Sequence, residues 1–298
     1  MNILVTGGAG FVGTNLIKKL LRDGVHPENE NLQHQIVSLD NYSTGLVENH
    51  QKGAFYHSID LTHGKYPSGK SIDYLEFFNG DSPDVIFHLA ALARIQPSLI
   101  DPVPAIENNF NGTLNILEYA RKNNIRVVYA GSSSFHHGLY SSPYAWSKYG
   151  GEELCKLYSE VYGTSTAICR FYNVYGKYQV EDGPYSTVMG IFERQHRNGE
   201  PLTITGDGEQ RRDFTHVDDI VNGLVLCMTD KFNADIFELG SGVNYSMNEL
   251  ADMFGGEKKY IPARPGEYDK TLCDYSRAEL RLGYKPTRNL DDYINGII

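Results

Sequence analysis

The chain has 298 residues, of which 41% are hydrophobic and 21% charged, enough to bury the core of one large domain or of two unequal lobes. A net charge of -10 without a long run of Lys and Arg argues against a nucleic-acid surface. Four widely spaced cysteines argue against a zinc site or a disulfide framework, so we expect no metal. The chain lacks both a membrane-length apolar run and a leader-like start, so we expect a cytoplasmic protein.

The first half of the chain alternates short apolar runs with helical periodicity, which is typical of βαβ units around a parallel sheet. The apolar runs predict strands at Asn2–Thr6, Gln35–Leu39, Phe55–Ile59, Asp84–Leu89, Arg126–Ala130 and Thr166–Arg170. The periodic segments predict helices at Val12–Arg22, Pro104–Asn123 and Tyr144–Tyr162, and the polar stretch His26–Gln35 predicts a surface loop. We therefore expect a doubly wound α/β sheet over residues 1–173.

The second half, residues 174–298, has a looser pattern that indicates a smaller α/β lobe over the substrate. We expect this lobe to interleave with the first one near residues 173–182. Its pattern predicts helices at Thr187–Arg197 and Val217–Met228, strands at Leu202–Thr205 and Asp235–Leu239, and little helix after Asp291.

A glycine-rich turn, Gly7-Gly8-Ala9-Gly10-Phe11-Val12-Gly13, stands between the first predicted strand and the first helix. Glycines at this spacing let the backbone approach a pyrophosphate, which the amide groups and dipole of the helix then face. A turn without a ligand is the alternative. The strand, turn and helix context favours a Rossmann dinucleotide site that includes Gly7, Gly10, Phe11, Val12 and Gly13.

Two carboxylates end neighbouring predicted strands. Asp40 ends the second strand, where it can accept hydrogen bonds from both adenosine ribose hydroxyls and repel a 2′-phosphate, so NAD is favoured over NADP. Asp60 ends the third strand beside Leu61, where it either meets the adenine amino group or caps the next helix. We favour the adenine contact.

Tyr144 and Lys148 stand at i and i+4 on a predicted helix, so they share one face. A free tyrosine has a pKa of about 10, and a lysine ammonium beside it favours the phenolate, which makes Tyr144 a candidate general base. The strand Arg126–Ala130 leads into Gly131 and the serines 132–134, which places hydroxyl groups at the same sheet edge. These residues predict alcohol chemistry at the nicotinamide.

The ordered motifs resemble the extended branch of the short-chain dehydrogenase/reductases, the NAD-dependent nucleotide-sugar epimerases and dehydratases, and most closely the UDP-glucose 4-epimerases. The resemblance covers nearly the whole chain. It is carried by VTGGAGFVG from Val5, LDNYSTG from Leu39, HLAALA from His88, NNFNGTLNILEYA from Asn108, YAWSK from Tyr144, RFYNVYG from Arg170, GDGEQRRDFTHVDDI from Gly206 and PARPGE from Pro262.

The resemblance implies further cofactor and catalytic residues. Lys148 also bonds the nicotinamide ribose, Asn109 supports the site, and the catalytic serine five residues before Gly138 is Ser133, in preference to Ser132 and Ser134. The adenosine end adds Asn41, Ser43 and Gly45, and the pyrophosphate and nicotinamide ribose are lined by Leu89, Ala90, Ala91 and Ala93.

The resemblance also implies a nucleotide-sugar site in the second half. Asn173 touches the sugar diphosphate, and Arg212 and Arg264 pair with phosphate oxygens. Arg94 is a further candidate for the phosphates, and its role stays open. The family restricts its sugar pocket seven residues after Arg264, at Thr271. A small residue there predicts room for an N-acetyl group. UDP is the expected nucleotide, although GDP, CDP and dTDP remain open.

The choice of reaction depends on the residues after the catalytic serine. The related dehydratases place an Asp-Glu pair there, whereas this chain has Ser134 and Phe135, and phenylalanine cannot move protons. We therefore expect C4 epimerisation through a transient 4-keto sugar. Dehydration, net reduction of a keto sugar, and a non-catalytic dinucleotide sensor are the alternatives.

Two departures from the family pattern stand before Gly138, where His136 and His137 replace the usual Val-Tyr. They either contact substrate or belong to an exposed loop, and the loop is favoured. The resemblance also implies a homodimer, built from the helices predicted at Pro104–Asn123 and Tyr144–Tyr162.

Overall fold

The computed structural model describes residues 1–24, 34–64, 72, 74–228 and 231–298. Its strands are β1 Asn2–Thr6, β2 Gln35–Asp40, β3 Ala54–Ser58, β4 Val85–His88, β5 Arg126–Ser132, β6 Thr166–Phe171, β7 Val174–Tyr175, β8 Leu202–Thr205, β9 Arg211–Asp213, β10 Thr215–His216, β11 Asn233–Leu239, β12 Asn244–Ser246 and β13 Lys258–Ile261. Its α-helices are α1 Phe11–Asp23, α2 Ile95–Ile100, α3 Pro102–Ile106, α4 Gly112–Asn123, α5 Pro143–Tyr162, α6 Val188–Asn198, α7 Val217–Leu226, α8 Met247–Phe254, α9 Ser276–Leu282 and α10 Leu290–Asn295.

Seven strands form one parallel sheet in the order β11-β6-β5-β4-β1-β2-β3. Successive side chains of β1 point to opposite faces, so Ile3 and Val5 pack with α1, α7 and α9, whereas Leu4 packs with α4 and α5. Because both faces are covered, the strands are continuous apolar runs, and this is why the sequence identifies them. The predicted doubly wound sheet is confirmed.

A third core lies away from the sheet and joins α6, β8, α8 and α10. The same half of the chain also sends β11 to the edge of the seven-stranded sheet and packs α7 and α9 on its face. The second half of the chain therefore completes the sheet of the first half. The division into two domains at residue 173 remains a prediction.

The structure differs from the predicted elements mainly at their ends and in the second half. The segment predicted as one helix, Pro104–Asn123, is α3 and α4 joined by a π-helical turn, Glu107–Asn111. The helix predicted to reach Met228 ends at Leu226, and α10 continues to Asn295. Residues 26–33 of the predicted polar loop lie outside the described residues, so its conformation stays a prediction.

Within the described ranges, no helix is both long and apolar enough to cross a membrane. The same part of the chain contains no group of three His, Cys, Asp or Glu side chains that could hold a metal ion. All four cysteines are buried as free thiols.

Candidate active site

A cavity of about 820 Å³ follows the carboxyl ends of β1, β2, β4 and β5 and extends into the second half of the chain. Parallel α/β sheets bind ligands at this edge. The predicted site residues that line the cavity are Gly7, Gly10, Phe11, Val12, Gly13, Asp40, Asn41, Ser43, Leu61, Leu89, Ala90, Ala91, Ala93, Arg94, Ser133, Tyr144, Asn173, Arg212, Arg264 and Thr271. The predicted residues that do not line it are Gly45, Asp60, Asn109 and Lys148.

The glycine-rich turn leaves no room for side chains. Gly7 has a φ of +72°, and a Cβ there would lie 2.9 Å from the Ala90 Cα, while a Cβ at Gly13 would lie 2.7 Å from the Gly8 Cα. The N-cap of α1 is Gly10, which has no side chain to accept hydrogen bonds from the first amides of the helix. This cradle fits the pyrophosphate of a dinucleotide.

Asp40 is held rigidly on the cavity wall at the end of β2. Its buried carboxylate accepts hydrogen bonds from the backbone amides of Ala9, at 2.9 Å, and Tyr42, at 2.8 Å. Gly45 contributes indirectly, because a Cβ there would lie 2.9 Å from both Asp40 carboxylate oxygens. Each oxygen retains a lone pair for a ribose hydroxyl, so the position suits the predicted role.

Asp60 makes a local turn in the structure. Its exposed carboxylate accepts hydrogen bonds from the Thr62 amide, at 2.8 Å, and from the Thr62 hydroxyl. These contacts close a turn and cap no helix within residues 60–64, so neither the helix cap nor the adenine contact is shown, and the adenine contact stays a prediction. Its neighbour Leu61 does line the cavity.

The hydroxyl of Tyr144 donates a hydrogen bond to Ser132 Oγ at 3.3 Å. Ser134 also donates to this oxygen, from its amide at 3.2 Å and its hydroxyl at 2.9 Å. Ser133 lines the cavity, but the serine that bonds the tyrosine is Ser132, which the family spacing favours less. The reason is that β5 continues past Ala130 to Ser132, which brings this serine level with the tyrosine.

Lys148 lies one helical turn after Tyr144 but turns toward the sheet. Its buried ammonium sits 4.4 Å from the centroid of the Tyr129 ring, and burial lowers its pKa to about 8. Burial raises the pKa of Tyr144, against the hydrogen bond to Ser132 and the charge of Arg94, which both lower it. Lys148 is not among the groups that shift the pKa of Tyr144 here, so its effect on the phenolate stays a prediction.

Asn109 supports the loop that follows β4, as the family resemblance implies. Its Oδ1 accepts a hydrogen bond from the Leu92 amide at 2.8 Å, and its Nδ2 donates to Ser147 Oγ at 2.9 Å. The side chain is buried, so it ties the cavity wall at Leu89–Ala93 to α5 without reaching the cavity itself.

The substrate end of the cavity carries two arginines, Arg212 and Arg264, that pair with no carboxylate among the described residues. Asn173 donates from Nδ2 to Thr271 Oγ1 at 3.3 Å, and the same oxygen accepts from the Asp213 amide at 3.0 Å. In the described part of the chain, Arg212 Nη1 donates only to the Arg211 carbonyl, at 2.9 Å. Guanidinium groups without a carboxylate partner, beside a polar wall, suit an anionic ligand such as a diphosphate.

Tyr268 also lines the cavity and is not predicted from the sequence. The His137 ring stacks on the Tyr268 ring with centroids 3.7 Å apart, and the Tyr268 hydroxyl lies 3.3 Å from Ser141 Oγ. Burial and the charge of Arg212 lower the pKa of His137 to about 4. His137 is therefore neutral and packed against the site, and only its departure from the family pattern marks it in the sequence.

His136 and Phe135 face away from the reacting groups. His136 bonds Glu238 at 2.9 Å, and the Phe135 ring covers the Arg170 guanidinium, whose Cζ lies 3.5 Å from the ring centroid. That guanidinium is paired with buried Glu152 at 2.6 Å. These contacts give the segment after Ser134 a packing role.

The fold and the cavity together define a dinucleotide-dependent α/β enzyme. Residues 3–240 match the NAD dependent epimerase/dehydratase family. The UDP-glucose 4-epimerase of Mycolicibacterium smegmatis is 31% identical over 306 residues, which covers 96% of this chain and 94% of that protein. The chain therefore belongs to the NAD-dependent epimerase/dehydratase family.

Solved structures agree with this assignment. A UDP-glucose 4-epimerase from Thermotoga maritima with UDP-glucose superposes with a TM-score of 0.87 at 29% identity, covering 100% of this chain and 97% of that one. A UDP-glucose 4-epimerase from Thermus thermophilus in complex with NAD has a TM-score of 0.84 at 27% identity and covers 100% of both chains. The predicted family, the NAD cofactor and the assignment as an enzyme are confirmed.

Proposed function

We propose that this protein is an NAD-dependent 4-epimerase of UDP-sugars that inverts C4 through a transient 4-keto sugar. The observation that carries the proposal is the scarcity of carboxylates in the cavity around Tyr144. Among the described residues that line the cavity, the only carboxylates are Asp40, at the cofactor end, and Glu267, which accepts a hydrogen bond from Thr205 at 3.1 Å. Dehydration needs an acid and base pair at the sugar, whereas epimerisation needs only an alcohol base.

In this proposal Tyr144 takes the proton of the sugar 4-hydroxyl and returns it after the sugar has turned. Ser133 holds the sugar oxygen, and Ser132 holds the tyrosine hydroxyl. Lys148, whose ammonium lies over the Tyr129 ring, is assigned to the nicotinamide ribose on the family resemblance. The chemistry that NAD supplies when bound is oxidation of the C4 alcohol and reduction of the resulting ketone, with no net consumption.

The remaining residues hold the cofactor and the nucleotide. We assign residues 1–173 to NAD, with Asp40 on the adenosine ribose and the turn at Gly7–Gly13 on the pyrophosphate. We assign residues 174–298 to the nucleotide sugar, with Arg212 and Arg264 on the diphosphate. The UDP-sugar names of the relatives support uridine as the base.

The small buried Thr271 supports a pocket wide enough for an N-acetyl group at the sugar. We therefore extend the substrate class from UDP-glucose and UDP-galactose to their N-acetyl analogues. The side chain is only 5% exposed, so the volume of this residue decides the space beside it.

The test is to incubate the purified protein with a panel of nucleotide sugars, without added cofactor, and to follow C4 isomers by NMR. We expect isomerisation of UDP-sugars with no change in the redox state of bound nicotinamide. The Tyr144→Phe variant should bind NAD normally and lose turnover. Stoichiometric consumption of nicotinamide would instead identify a reductase, loss of water a dehydratase, and NAD binding without turnover of any sugar a sensor.

We further propose a cytoplasmic homodimer that pairs α4 and α5 with their counterparts. The support is a pair of apolar side chains one helical turn apart on α5 that are about half exposed, Leu157 at 49% and Val161 at 58%. Such a face favours burial against another protein. Sedimentation of the wild type and of Leu157→Glu would test the dimer.

A further inference from the structure

A short segment of the second half, residues 265–269, reaches across to the first half of the chain. At its start, Gln96 in α2 donates from Nε2 to the Pro265 carbonyl at 2.7 Å. At its end, the backbone of β9 holds it, since the Arg211 amide donates to the Asp269 carbonyl at 2.8 Å. The segment is therefore fixed at both ends, and a side chain between them has a defined position.

Tyr268 is such a side chain, and it packs against the loop that joins the two proposed catalytic residues. The rings of Tyr268 and His137 stack with an interplanar angle of 14° and centroids 3.7 Å apart. The Tyr268 hydroxyl lies 3.3 Å from Ser141 Oγ, so a hydrogen bond holds the far end of the ring. In the sequence, His137 and Ser141 stand between Ser133 and Tyr144. The loop of the first half thus holds the tyrosine of the second half.

The tyrosine ring forms part of the cavity wall at the end where the sugar reacts. Tyr268 lines the cavity and His137 behind it does not, so the imidazole covers one face of the ring and the cavity borders the remainder. Ser133, Tyr144 and Thr271 line the same cavity. The phenol hydroxyl already has its partner in the loop, so what the ring offers the cavity is mainly apolar surface.

We propose that Tyr268 is a specificity-determining residue, an aromatic wall against which the sugar of the UDP-sugar packs. This inference rests on the proposed function and deepens it, because it assigns the sugar a contact surface besides the groups that react. The ligand class is a hexopyranose, whose C–H groups give both faces of its ring apolar patches. The His137 ring and the Ser141 hydroxyl are the supports that keep the wall in place.

An aromatic wall suits a reaction that handles the sugar in two orientations. Inversion through a ketone requires C4 to lose its hydrogen from one face and to regain it on the other, so the sugar turns between the two steps. A hydrogen bond to a fixed donor favours one orientation, since its strength falls steeply with angle. Packing on an apolar surface is non-directional, so the same wall holds the sugar before and after it turns.

The test measures the affinities of the NAD-loaded protein for UDP and for UDP-glucose by calorimetry. All proteins carry Tyr144→Phe, so that the bound sugar is not converted. Tyr268→Ala should leave the affinity for UDP unchanged and weaken that for UDP-glucose by about three- to tenfold, as expected for a lost aromatic contact. Tyr268→Phe keeps the ring and should keep both affinities.

Variants of the supporting histidine test whether the wall depends on its stacking partner. His137→Ala uncovers the back of the Tyr268 ring, so it should weaken the binding of UDP-glucose and leave that of UDP unchanged. His137→Phe retains a stacked ring and should keep both affinities. Loss of UDP-glucose affinity in His137→Phe equal to that in His137→Ala would contradict the role of the stack.

Tyr260→Ala is the matched control, because it makes the same chemical change in β13 of the same half. The Tyr260 hydroxyl bonds Asn248 at 3.0 Å, and the residue does not line the cavity, so both affinities should stay at their reference values. Tyr268→Leu, which also removes the ring, replaces Tyr268→Ala if the alanine variant fails to fold.

The outcomes separate this inference from the proposed function. A reference protein that binds no UDP-sugar would overturn both. Where UDP-glucose does bind, unchanged affinities in Tyr268→Ala would refute the wall alone. Equal losses for UDP and UDP-glucose would also refute it, since they would place the ring against the nucleotide instead of the sugar.

Discussion

Replacing Gly13 with alanine tests whether the tight turn at the start of α1 builds the cofactor site. The new Cβ would meet the Gly7 carbonyl oxygen and would lie 2.7 Å from the Gly8 Cα, and both atoms are backbone. The turn and the helix must therefore separate. Overpacking of this kind costs about 1–3 kcal/mol of unfolding free energy. Because the helix amides move away from the pyrophosphate, we also expect NAD affinity to fall by about tenfold or more, equivalent to about 1.4 kcal/mol.

Gly112→Ala is the matched control, because it makes the same chemical change in α4. Its Cβ would have Leu61 Cβ as its nearest neighbour, at 3.6 Å, an ordinary contact. Alanine in a helix is favoured over glycine by roughly 0.5–1 kcal/mol, so this variant should gain stability and keep its NAD affinity. Urea denaturation of cofactor-free protein and calorimetric NAD titration measure both effects. Equal stability and NAD affinity in the two variants would refute the steric reasoning.

Three further predictions concern the catalytic end. Ser132→Ala removes the hydroxyl partner of Tyr144, so the acidic limb of its pH profile should move to higher pH. Ser133→Ala should lower kcat by about a hundredfold without moving that limb. The reverse pattern would exchange the roles of the two serines. Thr271→Tyr should abolish turnover of N-acetyl sugars. Thr271→Val loses only the hydrogen bonds to Asn173 and Asp213, so it should retain that turnover. Unchanged N-acetyl turnover in the tyrosine variant would contradict the pocket assignment. Lys148 has a native pKa of about 8 against an ordinary 10.5, so between these values the unfolded chain binds the proton that the native protein does not, and stability should rise with pH by up to about 3 kcal/mol. Denaturation of the wild type and of Lys148→Met across this range checks the sign, since the rise should vanish in the variant.

The parts of the fold that the sequence predicts well are those where local pattern and tertiary environment agree. The strand at Asn2–Thr6 is buried on both faces, so its continuous apolar run identifies it to the residue. The glycine-rich turn is predicted equally well, because its backbone leaves no room for a Cβ at Gly7 or Gly13. α8 begins with a capping box between Ser246 and Glu249, a local pattern from which its start could have been predicted.

Other features depend on contacts between distant segments and leave no local signal. β9 and β12 are three-residue strands that pair antiparallel, too short to show a period. The end of β5 is similar, since the two residues beyond Ala130 decide which serine meets the tyrosine. Family spacing selects Ser133, and only the three-dimensional position of Tyr144 brings Ser132 forward.

The electrostatics of Tyr144 show why a sequence motif alone is insufficient to describe the base. A tyrosine and a lysine at i and i+4 share a helix face, yet burial of both side chains dominates their ionisation, raising the pKa of Tyr144 and lowering that of Lys148. Burial is set by the tertiary packing around α5 and β5, which two residues at i and i+4 do not encode. The Ser132 hydroxyl, which lowers the pKa of Tyr144, likewise comes from the end of a strand that the spacing of the motif does not include.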